Sequence, residues 1–271
     1  MVQESAGDLL SSRLRFYSSM SLVAQKMPNL VYSVITGGFV HNLRKRGDVD
    51  IVTVVSHIDG STKLSAIEFA KRHIELQQQN DFTPDSVFPT DVVTRQQIVD
   101  AISGRSFSVT VDGRLHLEHF TDDDIKNNPE ADYRVWLFEM ISHDFDILHG
   151  SSNLLVSDTE TALHTVFLFV CEACVYKQKV RLEKLQRDMF RVAELPYTLK
   201  ERQYRHLVRM IKRESLGQVK DGYLWLNQGE VIRQLSALKS VVQSGVMTNA
   251  THIMPWSDLR RSVAIDVIIK P

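Results

Sequence analysis

Two aspartates separated by one valine stand shortly after a pair of glycines in ITGGFVHNLRKRGDVDIVTVV, residues 35–55. Residues two apart on a β-strand point to the same face of a sheet, so we expect the carboxylates of Asp48 and Asp50 to project together. Side-by-side carboxylates repel each other unless a cation lies between them. Their hard oxygen atoms suit Mg²⁺, which binds carboxylates together with substrate phosphates. The pattern predicts a magnesium site at the start of a strand.

The preceding glycines, Gly37 and Gly38, could hold the phosphates of a ligand beside that metal. Glycine allows a positive φ and a close approach of the backbone to a ligand, and successive N–H groups in such a turn can bind phosphate oxygens. Neither a P-loop nor a dinucleotide-binding motif follows. The alternative is an ordinary turn, with Asp50 as an exposed residue at the start of a strand. The glycines and the acids together favour a phosphate and metal site.

Basic and titratable residues could add to this site. Arg44 lies in a basic run, residues 44–46, directly before the acids and could neutralise phosphate charge, although a solvated loop is the alternative. His41 could contact a bound nucleotide or its acceptor, or lie on the surface. Lys177 and Lys179 belong to a basic face of a predicted long helix, where they could bind the phosphates of a ligand. Runs of charge are usually solvated helix faces, which is the alternative for both lysines.

The composition indicates a folded chain without an overall basic surface. The 271 residues are 43% hydrophobic and 24% charged, and the net charge is −1. Nucleic acid is therefore not an expected partner, and any electropositive site must be local. The two cysteines, Cys171 and Cys174, cannot complete a four-ligand zinc site and are expected to be small buried residues on a helix.

No signal for secretion or membrane insertion is visible. The N-terminal residues lack a basic region followed by an apolar one. The longest apolar stretch, residues 166–175, is too short and too polar to span a bilayer. We therefore expect a cytoplasmic protein with no membrane partner, and no feature of the sequence indicates its oligomeric state.

The hydrophobic pattern predicts an α+β front half and a helical back half. Helices are predicted over residues 8–26, 62–79, 132–147, 159–195, 198–215 and 229–244. Strands are predicted over residues 30–35, 49–55 and 87–93, with a hairpin over residues 106–120 that turns at Asp112-Gly113. A brief helical turn is expected between the first two strands. We expect a catalytic or binding domain over residues 1–155 and a mainly helical domain over residues 156–271.

The segment GGFVHNLRKRGDVDIVTVV resembles the signature of the polymerase-beta-like nucleotidyltransferase superfamily, in which a Gly-Gly or Gly-Ser turn precedes an acid-hydrophobic-acid strand start. The family also needs a third carboxylate from a later strand. TPDSVFPTDVVT, residues 83–94, offers Asp91, with Asp85 as its rival. This segment and FEMISHDFDILHGSSNLL, residues 138–155, resemble parts of small-molecule nucleotidyltransferases, which include antibiotic adenylyltransferases. The resemblance covers residues 29–155.

This resemblance implies a fold, a reaction and roles for named residues. The fold is a nucleotidyltransferase-like mixed sheet with flanking helices, followed by a helical domain. The reaction moves a nucleoside monophosphate, AMP from ATP or its equivalent from another nucleoside triphosphate, to a hydroxyl of a small-molecule acceptor with release of pyrophosphate. Asp48, Asp50 and Asp91 bind two Mg²⁺ ions, Asp91 is also a candidate general base, and Gly37 and Gly38 hold the β- and γ-phosphates.

One departure and two alternatives accompany this interpretation. Many members of the superfamily have serine as the second turn residue, whereas this chain has Gly38, so one phosphate contact must come from the backbone alone. A protein or tRNA acceptor is one alternative, but it would suit a broad basic surface, which the net charge of −1 does not suggest. A non-catalytic nucleotide-binding module is the other alternative.

Overall fold

The computed structural model describes residues 6–41, 47–84, 91–105, 107–117, 138, 140–142, 145–192 and 201–244. Its helices are α1 (Ala6–Ala24), α2 (Gly37–His41), α3 (Gly60–Gln79), α4 (Arg95–Asp100), α5 (Ser152–Glu172), α6 (Leu182–Val192), α7 (Glu201–Arg213) and α8 (Gln228–Gln243), and a π-helical turn, Ala101–Arg105, continues α4. Its strands are β1 (Leu30–Thr36), β2 (Asp50–Val55), β3 (Asp91–Thr94), β4 (Phe107–Val109), β5 (Leu115–Leu117), β6 (Asp146–Gly150), β7 (Lys179–Arg181), β8 (Gly217–Lys220) and β9 (Tyr223–Leu226). The fold is mixed α+β, as predicted.

The central sheet has four strands in the order β3-β2-β1-β6. β1 pairs antiparallel with β2 and with β6, whereas β2 and β3 are parallel. A parallel neighbour requires a crossover connection, and the crossover from β2 to β3 contains α3. α3 begins after its N-cap Asp59, whose carboxylate accepts a hydrogen bond from the Thr62 N–H. Because β2 and β3 are parallel, their first residues lie at the same end of the sheet.

Apolar residues cover both faces of β2, as its nearly continuous hydrophobic sequence predicts. Val52 and Val54 belong to a core cluster that also contains side chains of α5, α7 and α8. Ile51 and Val55 belong to a second cluster, together with side chains of α1 and α3. The first cluster includes residues on both sides of residue 155, and the division of the chain into two domains there stays a prediction.

Two smaller sheets accompany the central one. The hairpin of β4 and β5 is antiparallel, and Asp112-Gly113 lies in its turn as predicted. The second small sheet has three antiparallel strands in the order β7-β9-β8. The back half of the chain therefore contains a sheet in addition to helices α5 to α8.

The predicted helix over residues 132–147 is wrong at its C-terminal end, where Asp146–Gly150 forms β6. β6 pairs with β1, and Gly150 has φ +100°. A Cβ atom at Gly150 would lie 2.4 Å from the Val31 carbonyl oxygen, so only glycine permits this close approach of the two strands. A short apolar run such as Ile147-Leu148 does not distinguish helix from strand by itself. The pairing of this run with β1 makes it a strand.

The predicted helix over residues 159–195 is right for residues 159–172 and 182–192 but wrong between them, because α5 ends at Glu172 and a turn and β7 precede α6. Within YKQKVR, residues 176–181, only Val180 is buried. One buried residue between exposed neighbours is typical of a strand with one face on the core, and β9 pairs along it. Cys171 is buried at the end of α5 and Cys174 is half-buried in the turn, both as free thiols.

Helix α5 is long and apolar enough to cross a membrane by length and composition. Within its most apolar window, 61% of the helix is buried inside the protein. Among the residues described above, it is the one helix that meets this criterion. Packing in the core therefore accounts for most of its apolar surface.

Candidate metal and triphosphate site

Gly37 lies directly against the carboxylate of Asp50. The register of β1 and β2 pairs Thr36 with Asp50, and the chain then turns into α2 at Gly37 with φ +64°. A Cβ atom at Gly37 would lie 2.1 Å from Asp50 Oδ2 and 3.1 Å from Asp50 Cγ. No other residue fits there without displacing the carboxylate. The structure thus brings the predicted glycine turn and the second predicted acid together.

Gly38, the second residue of α2, faces open space. A Cβ atom at Gly38 would have no heavy atom of the described residues within 4 Å, and Gly38 does not have a positive φ. The space beside it could hold a side chain or a ligand group that approaches the turn. A serine, which many members of the resembled superfamily have here, would therefore fit without strain.

Helix α2 is held in place by Phe39. The Phe39 ring centroid lies 5.6 Å from that of Phe16 on α1 and 5.4 Å from that of Phe82 after α3. The guanidinium of Arg13 lies 4.5 Å from the Phe39 ring centroid and donates a hydrogen bond to the Phe39 carbonyl oxygen. Burial lowers the pKa of Arg13. Arg13 was not among the residues predicted from the sequence, because a single arginine on an amphipathic helix shows no local sign of being buried.

Asp48, Val49 and Asp50 alternate between solvent and core, as strand periodicity predicts. Asp48 is exposed, Val49 is buried and Asp50 is half-buried. The Val49 N–H donates a hydrogen bond of 3.0 Å to Oε1 of Gln77, a buried residue of α3, and Gln77 Nε2 lies 3.1 Å from His73 Nε2. Gln77 therefore positions the acidic segment. Sequence analysis did not single it out, although a polar residue beside the apolar stripe of α3 is a weak sign of such a role.

The third candidate carboxylate, Asp91, is the first residue of β3. The parallel register pairs the Cα atom of Asp91 with that of Val52, two residues after Asp50. The side chain of Asp91 and all of Asp85 lie outside the described residues. The backbone thus places the start of β3 beside the start of β2, and the choice of Asp91 over Asp85 stays a prediction.

The donor set of the acidic segment fits Mg²⁺. Asp48 and Asp50 supply hard carboxylate oxygens, and the missing side chain of Gly37 leaves room at Asp50 Oδ2 for the turn to approach. Within the described residues, no group of three or more His, Cys, Asp or Glu side chains could hold a metal ion. The Asp91 side chain is not among those residues. One or two carboxylates completed by substrate phosphates and water are a usual set of Mg²⁺ ligands.

The remaining predicted contacts lie outside the described residues or in other elements. Arg44 belongs to residues 42–46, which are outside them, as is the side chain of His41. The prediction that Lys177 and Lys179 share a face of one long helix is wrong, because Lys177 lies in the turn after α5 and Lys179 begins β7. Both lysines are exposed. Their contact with a triphosphate stays a prediction.

Comparison of the chain with protein-family models, with curated proteins and with solved structures finds no match. The chemistry of the site therefore rests on its own residues. These residues are the glycine turn, Asp48 just before β2, Asp50 at the start of β2, and Asp91 at the start of β3.

Proposed function

We propose that this chain is a metal-dependent nucleotidyltransferase that moves a nucleoside monophosphate, AMP from ATP, to a hydroxyl of a small-molecule acceptor and releases pyrophosphate. The observation that carries the proposal is the contact between the Gly37 turn and the Asp50 carboxylate. A glycine turn and a pair of acids are each common alone. A turn that binds phosphate and an acid that binds Mg²⁺ must lie near each other, because the same phosphate group would contact both the turn and the metal.

The order of elements around the site also supports the proposal. The glycine turn and α2 follow β1, Asp48 lies just before β2 and Asp50 begins it, and α3 crosses over to the parallel strand β3. β3 begins at Asp91, the candidate third carboxylate. The resemblance to the polymerase-beta-like superfamily predicts the same succession of turn, acids and later strand. The resemblance to its small-molecule branch is the reason for proposing a small acceptor.

In the proposed mechanism, Asp48, Asp50 and Asp91 hold Mg²⁺, and the backbone N–H groups of Gly37 and Gly38 bind the β- and γ-phosphates. Bound Mg²⁺ supplies neutralisation of the charge on the triphosphate and on the departing pyrophosphate. Asp91 accepts the proton of the acceptor hydroxyl while the hydroxyl oxygen attacks the α-phosphorus. The bond between the α-phosphorus and the bridging oxygen breaks, and pyrophosphate leaves.

Thermal unfolding with Mg²⁺ and each of ATP, GTP, CTP and UTP tests the nucleotide site. A ligand present at about 100 times its Kd stabilises a protein by about 2.7 kcal/mol. For a chain of this size, each kcal/mol raises the Tm by about 2–4 °C. We expect at least one triphosphate to give such a rise in the wild type, and Asp48→Ala with Asp50→Ala to abolish it. Glu68→Gln, which removes an exposed carboxylate from α3, is the control and should retain the rise.

Two results would overturn this placement of the site: no triphosphate raises the Tm, or the double variant responds like the wild type.

Transfer of label from ATP labelled at its α-phosphate then distinguishes the acceptor classes. Label in acid-soluble products of a metabolite mixture is the expected result. Label in precipitated protein or tRNA would indicate a macromolecular acceptor, and binding without any transfer would indicate a non-catalytic module.

A further inference from the structure

The outer face of the sheet β7-β9-β8 combines aromatic rings with cations, and we call it the aromatic–basic face. β9, the central strand, carries Tyr223 and Trp225, and the outer strands flank them with polar and basic residues. Strand register forms two rows, one of Lys179, Trp225 and Gln218 and one of Arg181, Tyr223 and Lys220. An aromatic ring therefore lies at the centre of each row, with at least one cation beside it.

The opposite face of this sheet packs on the protein core. Val180, Leu224 and Val219 form the row between the two outer rows, and all three contact the first core cluster. The alternation leaves the aromatic–basic face towards solvent, where Trp225 is 44% exposed. Core packing thus accounts for the inner row of side chains. It does not account for a large aromatic residue held at the surface between a lysine and a glutamine.

The charge of the aromatic–basic face is positive. Lys179 Nζ lies 4.9 Å from the centroid of the Tyr223 ring and 5.2 Å from that of the Trp225 ring. Among the described residues, no carboxylate forms an ion pair with Lys179, Arg181 or Lys220. The exposed carboxylate of Asp221 lies in the turn between β8 and β9, at one end of the face. An anion that approaches the two rings therefore meets cations on both outer strands.

We propose that the aromatic–basic face binds single-stranded nucleic acid. Bases of a single strand can stack on exposed aromatic rings, and a groove or face lined by cations follows the phosphate backbone. The rings of Tyr223 and Trp225 would contact successive bases, while Arg181 and Lys220 on opposite edges would contact phosphates. A duplex fits poorly, because its bases are already stacked on one another. This inference is independent of the proposed nucleotidyl transfer.

Fluorescence anisotropy with labelled single strands of uridine or thymidine, about twelve nucleotides long, tests stacking on the face. Stacking of one base on an aromatic side chain corresponds to a change of about 5- to 150-fold in affinity. We expect Trp225→Leu to weaken binding by about 10-fold or more and Trp225→Phe, which retains a ring, to weaken it much less. Circular dichroism checks that both variants fold. Tighter binding of either the RNA or the DNA strand identifies the preferred sugar and supports the proposal.

The salt dependence of the same binding tests the phosphate contacts. On single strands each neutralised phosphate contributes about 0.7 to the slope of log affinity against log salt. Arg181→Gln with Lys220→Gln should lower that slope by about 1.4. Lys26→Gln with Lys63→Gln removes two exposed charges from other elements and is the matched control, for which we expect an unchanged slope.

Several results would overturn the inference. These are absence of binding to both single strands, tighter binding to a duplex of the same length, and equal affinity of the wild type and Trp225→Leu. Displacement of the strand by anionic lipid vesicles at lower phosphate concentration would indicate a membrane surface instead. Asp48→Ala with Asp50→Ala should leave strand binding unchanged, so failure of the nucleotidyltransferase proposal is distinguishable from failure of this one.

Discussion

At the scale of single residues, the two neighbouring glycines of the candidate site differ in what surrounds them. Gly37 has φ +64° and lies against Asp50 Oδ2, whereas Gly38 faces open space. A side chain at Gly37 must displace the carboxylate or alter the start of α2. A side chain at Gly38 displaces nothing among the described residues. The two positions are therefore a matched pair for testing the contact on which the proposed function depends.

We expect Gly37→Ala to lower the free energy of unfolding by about 1–3 kcal/mol and to abolish the thermal shift with Mg²⁺ and nucleotide. Left-handed backbone costs a non-glycine residue about 1–2 kcal/mol, and the overlap with the carboxylate adds to this. Gly38→Ala should change the free energy of unfolding by less than about 1 kcal/mol. Urea unfolding measures both variants. Equal losses would contradict the contact between Gly37 and Asp50.

At the scale of elements, a buried acid connects the central sheet to two helices. Asp158 of α5 is 2% exposed, and its Oδ2 accepts hydrogen bonds from the Tyr32 hydroxyl of β1 at 2.7 Å and from Arg95 Nη1 of α4 at 2.8 Å. Its Oδ1 accepts a hydrogen bond from Arg95 Nη2 at 2.6 Å. Burial is the largest cause of the raised pKa of the Tyr32 hydroxyl, and the charge of Asp158 and its hydrogen bond raise that pKa further. The three residues fix α4 and α5 on one face of the sheet.

Asp158→Asn should lower the free energy of unfolding by about 3 kcal/mol, because breaking a buried ion pair leaves the partner charge without compensation. The loss lies at the low end of the usual range, since the Arg95 side chain is 29% exposed. Asp188→Asn breaks the exposed pair with Lys184 on α6 and is the control, with an expected loss of at most about 0.5 kcal/mol. Chemical denaturation measures both. Similar losses would show that Asp158 does not hold the sheet to the helices.

At the scale of the whole molecule, α5 and α8 meet through a half-buried histidine, His164. His164 Nε2 donates a hydrogen bond of 2.6 Å to Gln234 Oε1. Burial lowers the pKa of His164 below its ordinary value, and the hydrogen bond to Gln234 opposes this only in part. The folded protein therefore binds a proton at His164 less readily than the unfolded chain does.

This difference predicts how stability depends on pH. Above the pKa that His164 has in the unfolded chain, the histidine is neutral in both states and the protein keeps its full free energy of unfolding. As the pH falls from about 7 towards the lower pKa of the folded state, the unfolded chain binds a proton more readily and the free energy of unfolding decreases. We expect His164→Gln to lose less free energy of unfolding than the wild type between about pH 7 and pH 5. His149→Gln, at an exposed histidine of β6, should follow the wild type. Denaturation curves at several pH values measure this, and identical curves for wild type and His164→Gln would contradict it.

The net charge of −1 gives no indication of the aromatic–basic face, because it sums over the whole chain. Arg181 and Lys220 are 39 residues apart in sequence, yet strand register places both beside Tyr223. The expectation that nucleic acid is not a partner followed from the net charge alone. A local cluster of cations is compatible with that charge, and its position depends on how β7 and β8 flank β9.

Local periodicity was sufficient to predict several elements and part of the site. The exposure of Asp48, Val49 and Asp50 alternates as predicted, since a strand has a side-chain period of two whatever its partner is. The hairpin at Asp112-Gly113 and helices α3 and α8 also follow from local signals. The burial of single helix positions was less predictable: Leu64 of α3 is apolar, yet its side chain is 71% exposed.

The sequence by itself determined that a glycine turn precedes two closely spaced acids and a buried strand. Only the tertiary structure decided that Gly37 touches Asp50, because the contact depends on the register of β1 against β2. The same holds for the first two residues of β6 and for all of β7, which were expected to be helical but form strands that pair with β1 and β9. Strand pairing joins residues that are distant in sequence, and a short apolar run carries no information about its partner.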